Sequence, residues 1–180
     1  MATCRARVAG DSQARGPASA IGDILAAVKV VIVGCGRVGS TLANDLAREG
    51  HEVAIIDISR RAFDRLEQNF SGQAILGSGI DQEILEQAGA ENADCFISVT
   101  NGDNRNIMSA QVAQEIFKIP RVMTRIYDPI RERVYREIGL YTFCPTVVGA
   151  AIARTFFESG AAEADRARHS VAASGASGGA

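Results

Sequence analysis

An α/β fold, built on a doubly wound, parallel, six-stranded sheet, is predicted by three observations along the 180-residue sequence. Short β-branched runs alternate strictly with segments of helical period. Glycine-containing turns follow the first, third and fourth runs. No internal repeat exists beyond that alternation. A pattern of this kind implies right-handed crossovers and helices on both faces of the sheet. The length suits one domain that buries about 70% of its unfolded surface, enough for a core without covalent staples.

Lys29–Val33 reads as the first strand, ended by Gly34. A helix follows with Val38, Leu42 and Leu46 at i, i+4 and i+8 on one face, and Gly50 at its end. Glu52–Asp57 is the second strand and Arg60–Asn69 a second helix, with Phe63 and Leu66 facing inward. Gln73–Leu76 is the third strand, and Gly89 stops the helix Asp81–Ala88. Asp94–Thr100 is the fourth strand, followed by a helix from Asn104 to Phe117 that Pro120 ends. Arg121–Ile126, a helix over Pro129–Ile138 and the strand Tyr141–Cys144 come next. The expected strand order is 3-2-1-4-5-6. A last helix, Thr146–Glu158, carries Val147, Val148, Ala151, Ile152, Phe156 and Phe157. That much apolar surface reads as an interface, the alternative being a crossover helix folded onto the sheet. Residues 1–28 and 161–180, rich in Ala, Ser and Gly, are expected to be flexible segments flanking a domain over 29–160.

Composition narrows the function. Nineteen Lys and Arg stand against 21 Asp and Glu, so no basic field argues for nucleic acid. No apolar run has the length of a membrane span, and the N-terminus lacks the apolar stretch of a secretory signal, so the expected location is the cytoplasm. Cys4, Cys35, Cys95 and Cys144 lie too far apart for a zinc site or a disulfide framework, and no metal is expected.

Gly34-Cys35-Gly36-Arg37-Val38-Gly39 fits G-x-G-x-x-G between a β-branched strand and an amphipathic helix. There the first glycine permits the turn, the second lets backbone approach a pyrophosphate, and the third lets the helix pack on the sheet. The helix N-terminus aims free N–H groups at the phosphates. This is a Rossmann-like signature. Asp57, 23 positions after Gly34, is placed to accept ribose hydroxyls and disfavours a 2′-phosphate, hence NAD over NADP; its other reading is a helix cap. Ligands bind at the carboxyl ends of strands in such sheets. Thr100 and Asn101 end strand four, either as cofactor contacts or as a turn and cap. Arg125 sits near the end of an interior strand, which should be nearly all apolar, and a buried guanidinium needs an anion: a bound phosphate, or an acid such as Asp103.

Acid/base machinery is missing. His51 and His169 lie in a turn and near the end of the chain, and no tyrosine stands four residues before Lys118. The sequence therefore reads as a nucleotide-binding protein and not an enzyme. The alternative is an NAD-dependent oxidoreductase fragment without its substrate domain.

From Lys29 to about Pro145 the sequence resembles the N-terminal nucleotide-binding domain of Trk/Ktr-type potassium-uptake regulators, the RCK or TrkA-N domain. The matching residues are Val30 to Ser40, Gly50 to Val53 with Asp57, and Ala88-Gly89 followed by Ala93-Asp94. They continue through the Thr-x-x-Asp-x-x-Asn block from Thr100 to Asn106 and through Val122 to Asp128. The resemblance implies NAD(H), or ADP or ATP, as the ligand, contacted by Gly34 to Val38, Asp57, Thr100, Asn101 and Arg125. It also implies a gating subunit at the inner face of the membrane, assembled as dimers or rings on a potassium-translocating subunit. Family members usually carry a further C-terminal regulatory lobe and typically begin near Val28.

Overall fold

The computed structural model describes residues 27–173. Six parallel strands form one sheet: β1 Lys29–Val33, β2 Glu52–Asp57, β3 Gln73–Leu76, β4 Cys95–Ser98, β5 Arg121–Arg125 and β6 Tyr141–Phe143. Their order is β3-β2-β1-β4-β5-β6, as the sequence predicts. In register, Val33 pairs with Ile56 of β2 on one side and with Ser98 of β4 on the other. The direction of winding reverses between β1 and β4, which opens a crevice above their carboxyl ends.

Alternation along β1 explains the layering. Val31 and Val33 point to one face with Ala54, Ile56, Phe96 and Leu85; Val30 and Ile32 point to the other with Val53, Ile55 and Ile97. Both faces are apolar, so both must be covered. Helix α1 (Arg37–Arg48) covers the second face with Leu42, Ala43 and Leu46. Helices α2 (Gln82–Gln87) and α3 (Asp103–Glu115) cover the first with Leu85, Val112 and Ala113. Helix α4 (Pro129–Glu137) starts on an Asp128 cap whose carboxylate accepts from the N–H groups of Ile130 and Arg131 at 2.8 and 3.1 Å.

Three expectations change. The helix expected over 60–69 is a 3-10 turn over Arg60–Arg65. The side chain of Asn44 accepts from Glu67 N–H at 3.2 Å and donates to the Arg65 carbonyl at 3.5 Å, taking the backbone groups that a continuing helix would use. Strand β4 stops at Ser98, because the Thr100 N–H turns to the Asn106 side chain. Finally, residues 161–173 are not a loose tail but helix α6 (Ala161–Ala173). Its alanines favour helix, and Glu163–Arg166 and Asp165–Arg168 pair one turn apart. Gly160, at φ 80°, turns the chain between α6 and α5 (Pro145–Ser159), and the two helices pack together with Ala164 buried.

Helix α5 does not fold onto the sheet. None of its residues is buried, and Phe157 is 88% exposed. Its base is fixed at the Tyr127 carbonyl, which accepts from Cys144 Sγ at 3.2 Å and from Thr146 Oγ1 at 3.0 Å. Residues 1–26 and 174–180, parts of the expected flexible segments, lie outside the described residues.

Candidate functional site

The crevice above β1 and β4 is a cavity of about 720 Å³, a size that suits a small-molecule ligand. Its walls come from the turns after β1, β2, β3, β4 and β5, so side chains distant in sequence converge there. All the expected site residues except Gly39 line it: Gly34 to Val38, Asp57, Thr100, Asn101 and Arg125.

The glycine turn is shaped for close approach. Gly34 sits at φ 105°, and a Cβ there would lie 2.8 Å from Thr100 N. Gly39 stands behind the cavity wall, where a Cβ would fall 1.8 Å from the Gly34 carbonyl oxygen. A Cβ on Gly36, in contrast, would meet nothing within 4 Å. Two of the glycines are thus needed by the protein itself, while the middle one keeps space open on the ligand side. Gly36 caps α1 without a side-chain bond, and the first turn of α1 carries no acidic residue, so its amides stay available to an anion.

Asp57 ties β2 to this turn. Its Oδ2 accepts from the Cys35 N–H at 2.7 Å and its Oδ1 from the Ser59 N–H at 2.9 Å. A carboxylate has about four acceptor positions, so roughly two remain for hydroxyls. Cys35 points away, its thiol donating to the Ala62 carbonyl at 3.3 Å. Burial, and secondarily the charge of Asp57, push that thiol up to about 11 against a smaller opposing effect of Arg65. It stays protonated near neutrality, the weakly nucleophilic form of a thiol.

Arg125 is the unusual wall. It is 7% exposed, lies 4.6 Å over the Tyr127 ring and donates through Nη2 to the Thr100 carbonyl. Its Nε is buried without a hydrogen-bond partner among the described residues. Asp103, one of the two partners considered for it, is engaged elsewhere: its carboxylate accepts from the N–H groups of Tyr127 and Asp128 at 2.9 and 3.3 Å. Burial lowers the Arg125 pKa from its ordinary value, against smaller opposing effects of Tyr127 and Asp103. A desolvated cation without a carboxylate partner favours an anion in the cavity.

Thr100 and Asn101 differ in what they have left to offer. The N–H, hydroxyl and carbonyl of Thr100 are all engaged with Asn106, while Asn101 Oδ1 accepts from Arg105 at 2.7 Å. Arg65, Arg105 and Tyr127 also line the cavity, as do Ser78 and Gly79 after β3. The two arginines lie on exposed helical turns and give no periodic signal in the sequence. Four arginines (Arg37, Arg65, Arg105, Arg125) thus face one carboxylate, Asp57. Among the described residues no group of three or more His, Cys, Asp or Glu could hold a metal ion, and no helix is long and apolar enough to cross a membrane.

Comparison with known proteins agrees with this geometry. The "Trk system potassium uptake protein TrkA" of Streptomyces coelicolor is 49% identical over 113 residues, which are 63% of this chain and 51% of that protein. The chain therefore spans about half the length of that relative. Among solved structures, the TrkA-N domain of the inner membrane protein ybaL from Escherichia coli superposes with a TM-score of 0.60 at 25% identity, over 73% of this chain and 96% of that one. The Kef CTD of Shewanella denitrificans in its AMP-bound form gives 0.62 at 21% identity, over 81% and 92%, a likeness of fold. A family model of the TrkA-N domain matches residues 30–148, and the chain belongs to that family.

Proposed function

We propose that the chain is the nucleotide-binding part of a cytoplasmic regulatory subunit that gates a potassium-uptake system, sensing NAD(H) or ADP/ATP. One observation carries the reading: a single cavity joins the open glycine turn, the Asp57 carboxylate and a buried arginine whose Nε has no hydrogen-bond partner among the described residues. The amides at the start of α1, from Gly36 to Val38, would hold a pyrophosphate, those of Gly34 and Cys35 being bonded to Ile56 and Asp57. Asp57 would accept the adenosine ribose hydroxyls, and Arg125 would face a phosphate or the far half of a dinucleotide, beside Asn101. The name of the Streptomyces relative and the AMP-bound form of the Kef domain support both halves of this reading.

Regulation requires differential binding. A ligand shifts an equilibrium only by the difference in its affinity for two states. NAD against NADH, or ADP against ATP, changes charge at the Arg125 wall, where burial makes charge matter most. The membrane-embedded potassium pathway is the partner in this reading, and the protein sits at the inner face of the membrane through it. The exposed face of α5 pairs with a second copy.

Hydride chemistry would need a proton donor or acceptor beside the nicotinamide; among the described residues the cavity is lined by neither histidine nor lysine, and its one tyrosine, Tyr127, lies against the Arg125 guanidinium. Calorimetric titration of purified protein with NAD, NADH, ADP and ATP tests the proposal, with potassium flux through a reconstituted partner as its second arm. Nucleotide-dependent flux is the expected result. Failure to bind any of the four, or steady NAD reduction with a hydroxy acid, alcohol or aldehyde, would overturn it.

A further inference from the structure

The Thr-x-x-Asp-x-x-Asn block opens α3, yet its two later members do not line the cavity. Asn106 is fully buried. Its Oδ1 accepts from Thr100 N–H at 2.8 Å and from Thr100 Oγ1 at 2.7 Å; its Nδ2 donates to the carbonyls of Thr100 and Arg125 at 3.0 and 2.9 Å. Those bonds use the full capacity of a side-chain amide. An N–H can only donate and the two carbonyls can only accept, so the amide has a single orientation.

The position of these bonds matters. Pairing between β4 and β5 ends at Ser98 and Thr124. Thr100 and Arg125 lie beyond it, where the Asn106 amide links the two strand ends in place of the missing ladder. The Thr100 carbonyl, held by Asn106, is also the acceptor for the Arg125 guanidinium. One turn earlier, Asp103 anchors the exit of β5 through the N–H groups of Tyr127 and Asp128, and the Tyr127 ring lies under the same guanidinium.

We infer that Asn106 and Asp103 are positioning residues of the nucleotide site, which place the Arg125 guanidinium at the cavity wall and touch no ligand themselves. The inference rests on the reading of Arg125 as the cation that faces phosphate. It explains why an arginine with so few partners of its own holds one place: its own carbonyl and the backbone just after it are clamped by α3.

A double-mutant cycle tests it, with ADP as the charged probe and adenosine as the uncharged one. Arg125→Gln is expected to weaken ADP about tenfold or more, the loss of one charge-assisted hydrogen bond. Asn106→Ala is expected to weaken ADP by a comparable factor and adenosine by less than about twofold. Because Asn106 acts through Arg125, the double variant should bind ADP no worse than Arg125→Gln alone. Asp103→Asn, which keeps the side-chain shape, runs through the same cycle and supplies the result if Asn106→Ala melts before it can be titrated. Equal losses for ADP and adenosine, or losses that multiply in the double variants, would overturn the inference and leave Arg125 as a contact. An unchanged ADP affinity in Arg125→Gln would overturn the reading of Arg125 itself, and the inference with it.

Discussion

The Asp57 carboxylate accepts a 2.7 Å hydrogen bond from the Cys35 amide, so the carboxyl end of β2 holds the turn that follows β1. The acid expected at a ribose is also a structural brace, and its substitutions separate the two roles. Asp57→Ala removes brace and charge together and is expected to weaken NAD by at least about tenfold, from charge-assisted bonds of about 1.5–3 kcal/mol each. Asp57→Asn retains an acceptor for Cys35, so it should melt close to the parent protein while still losing NAD affinity. Calorimetry and a thermal melt on both variants check this. NADP binding more tightly than NAD to the parent would contradict the ribose assignment.

The glycines of the turn should diverge on substitution. Gly39→Ala forces a Cβ within 1.8 Å of the Gly34 oxygen and is expected to destabilise by about 3 kcal/mol or more. Gly36→Ala meets open space, so stability changes by less than about 0.5 kcal/mol while nucleotide affinity falls. Denaturant midpoints read alongside a titration distinguish the pair.

The buried Cys35 thiol sets a pH dependence. Its ordinary value of 9.0 is raised to about 11 in the folded protein. Below about pH 9 both folded and unfolded chains hold the proton, and the group contributes nothing. Above it the unfolded chain ionises first, so stability is lost as pH rises from about 9 towards 11. The slope should flatten in Cys35→Ser. In the native protein at pH 8, alkylation mapped by mass spectrometry should reach Cys35 far more slowly than after unfolding.

The α5 face predicts an association. Phe156 is 58% and Phe157 88% exposed on a helix with no buried residue, a surface that in water favours pairing. A homodimer by light scattering, turned monomeric by Ile152→Asp with Phe156→Asp, is the expected outcome. An unaltered monomer before and after these substitutions would remove the interface.

What the sequence made legible follows from period and spacing. Strand order, the glycine turn and the distance to Asp57 all depend on local pattern and on the handedness of crossovers. Asn106 was visible as part of a motif, but a buried amide satisfied by backbone and an amide facing ligand look alike in one dimension. The 3-10 turn at Arg60–Arg65 depends on Asn44, far back on α1, which no local window contains. The alanine-rich stretch after Gly160 has the composition of a flexible segment, although alanine is the strongest helix former and needed only α5 to pack against. Arg125 stood out because a guanidinium in a buried strand is costly anywhere in a chain.

The Tyr127 carbonyl, which receives both Cys144 and Thr146, gives α5 the mechanics of a lever. The helix is 15 residues long, about 22 Å at 1.5 Å per residue. A tilt of about 10° at its base carries the far end through roughly 4 Å on that geometry. The pivot lies two residues from the arginine of the nucleotide cavity, and the free arm bears the exposed phenylalanines.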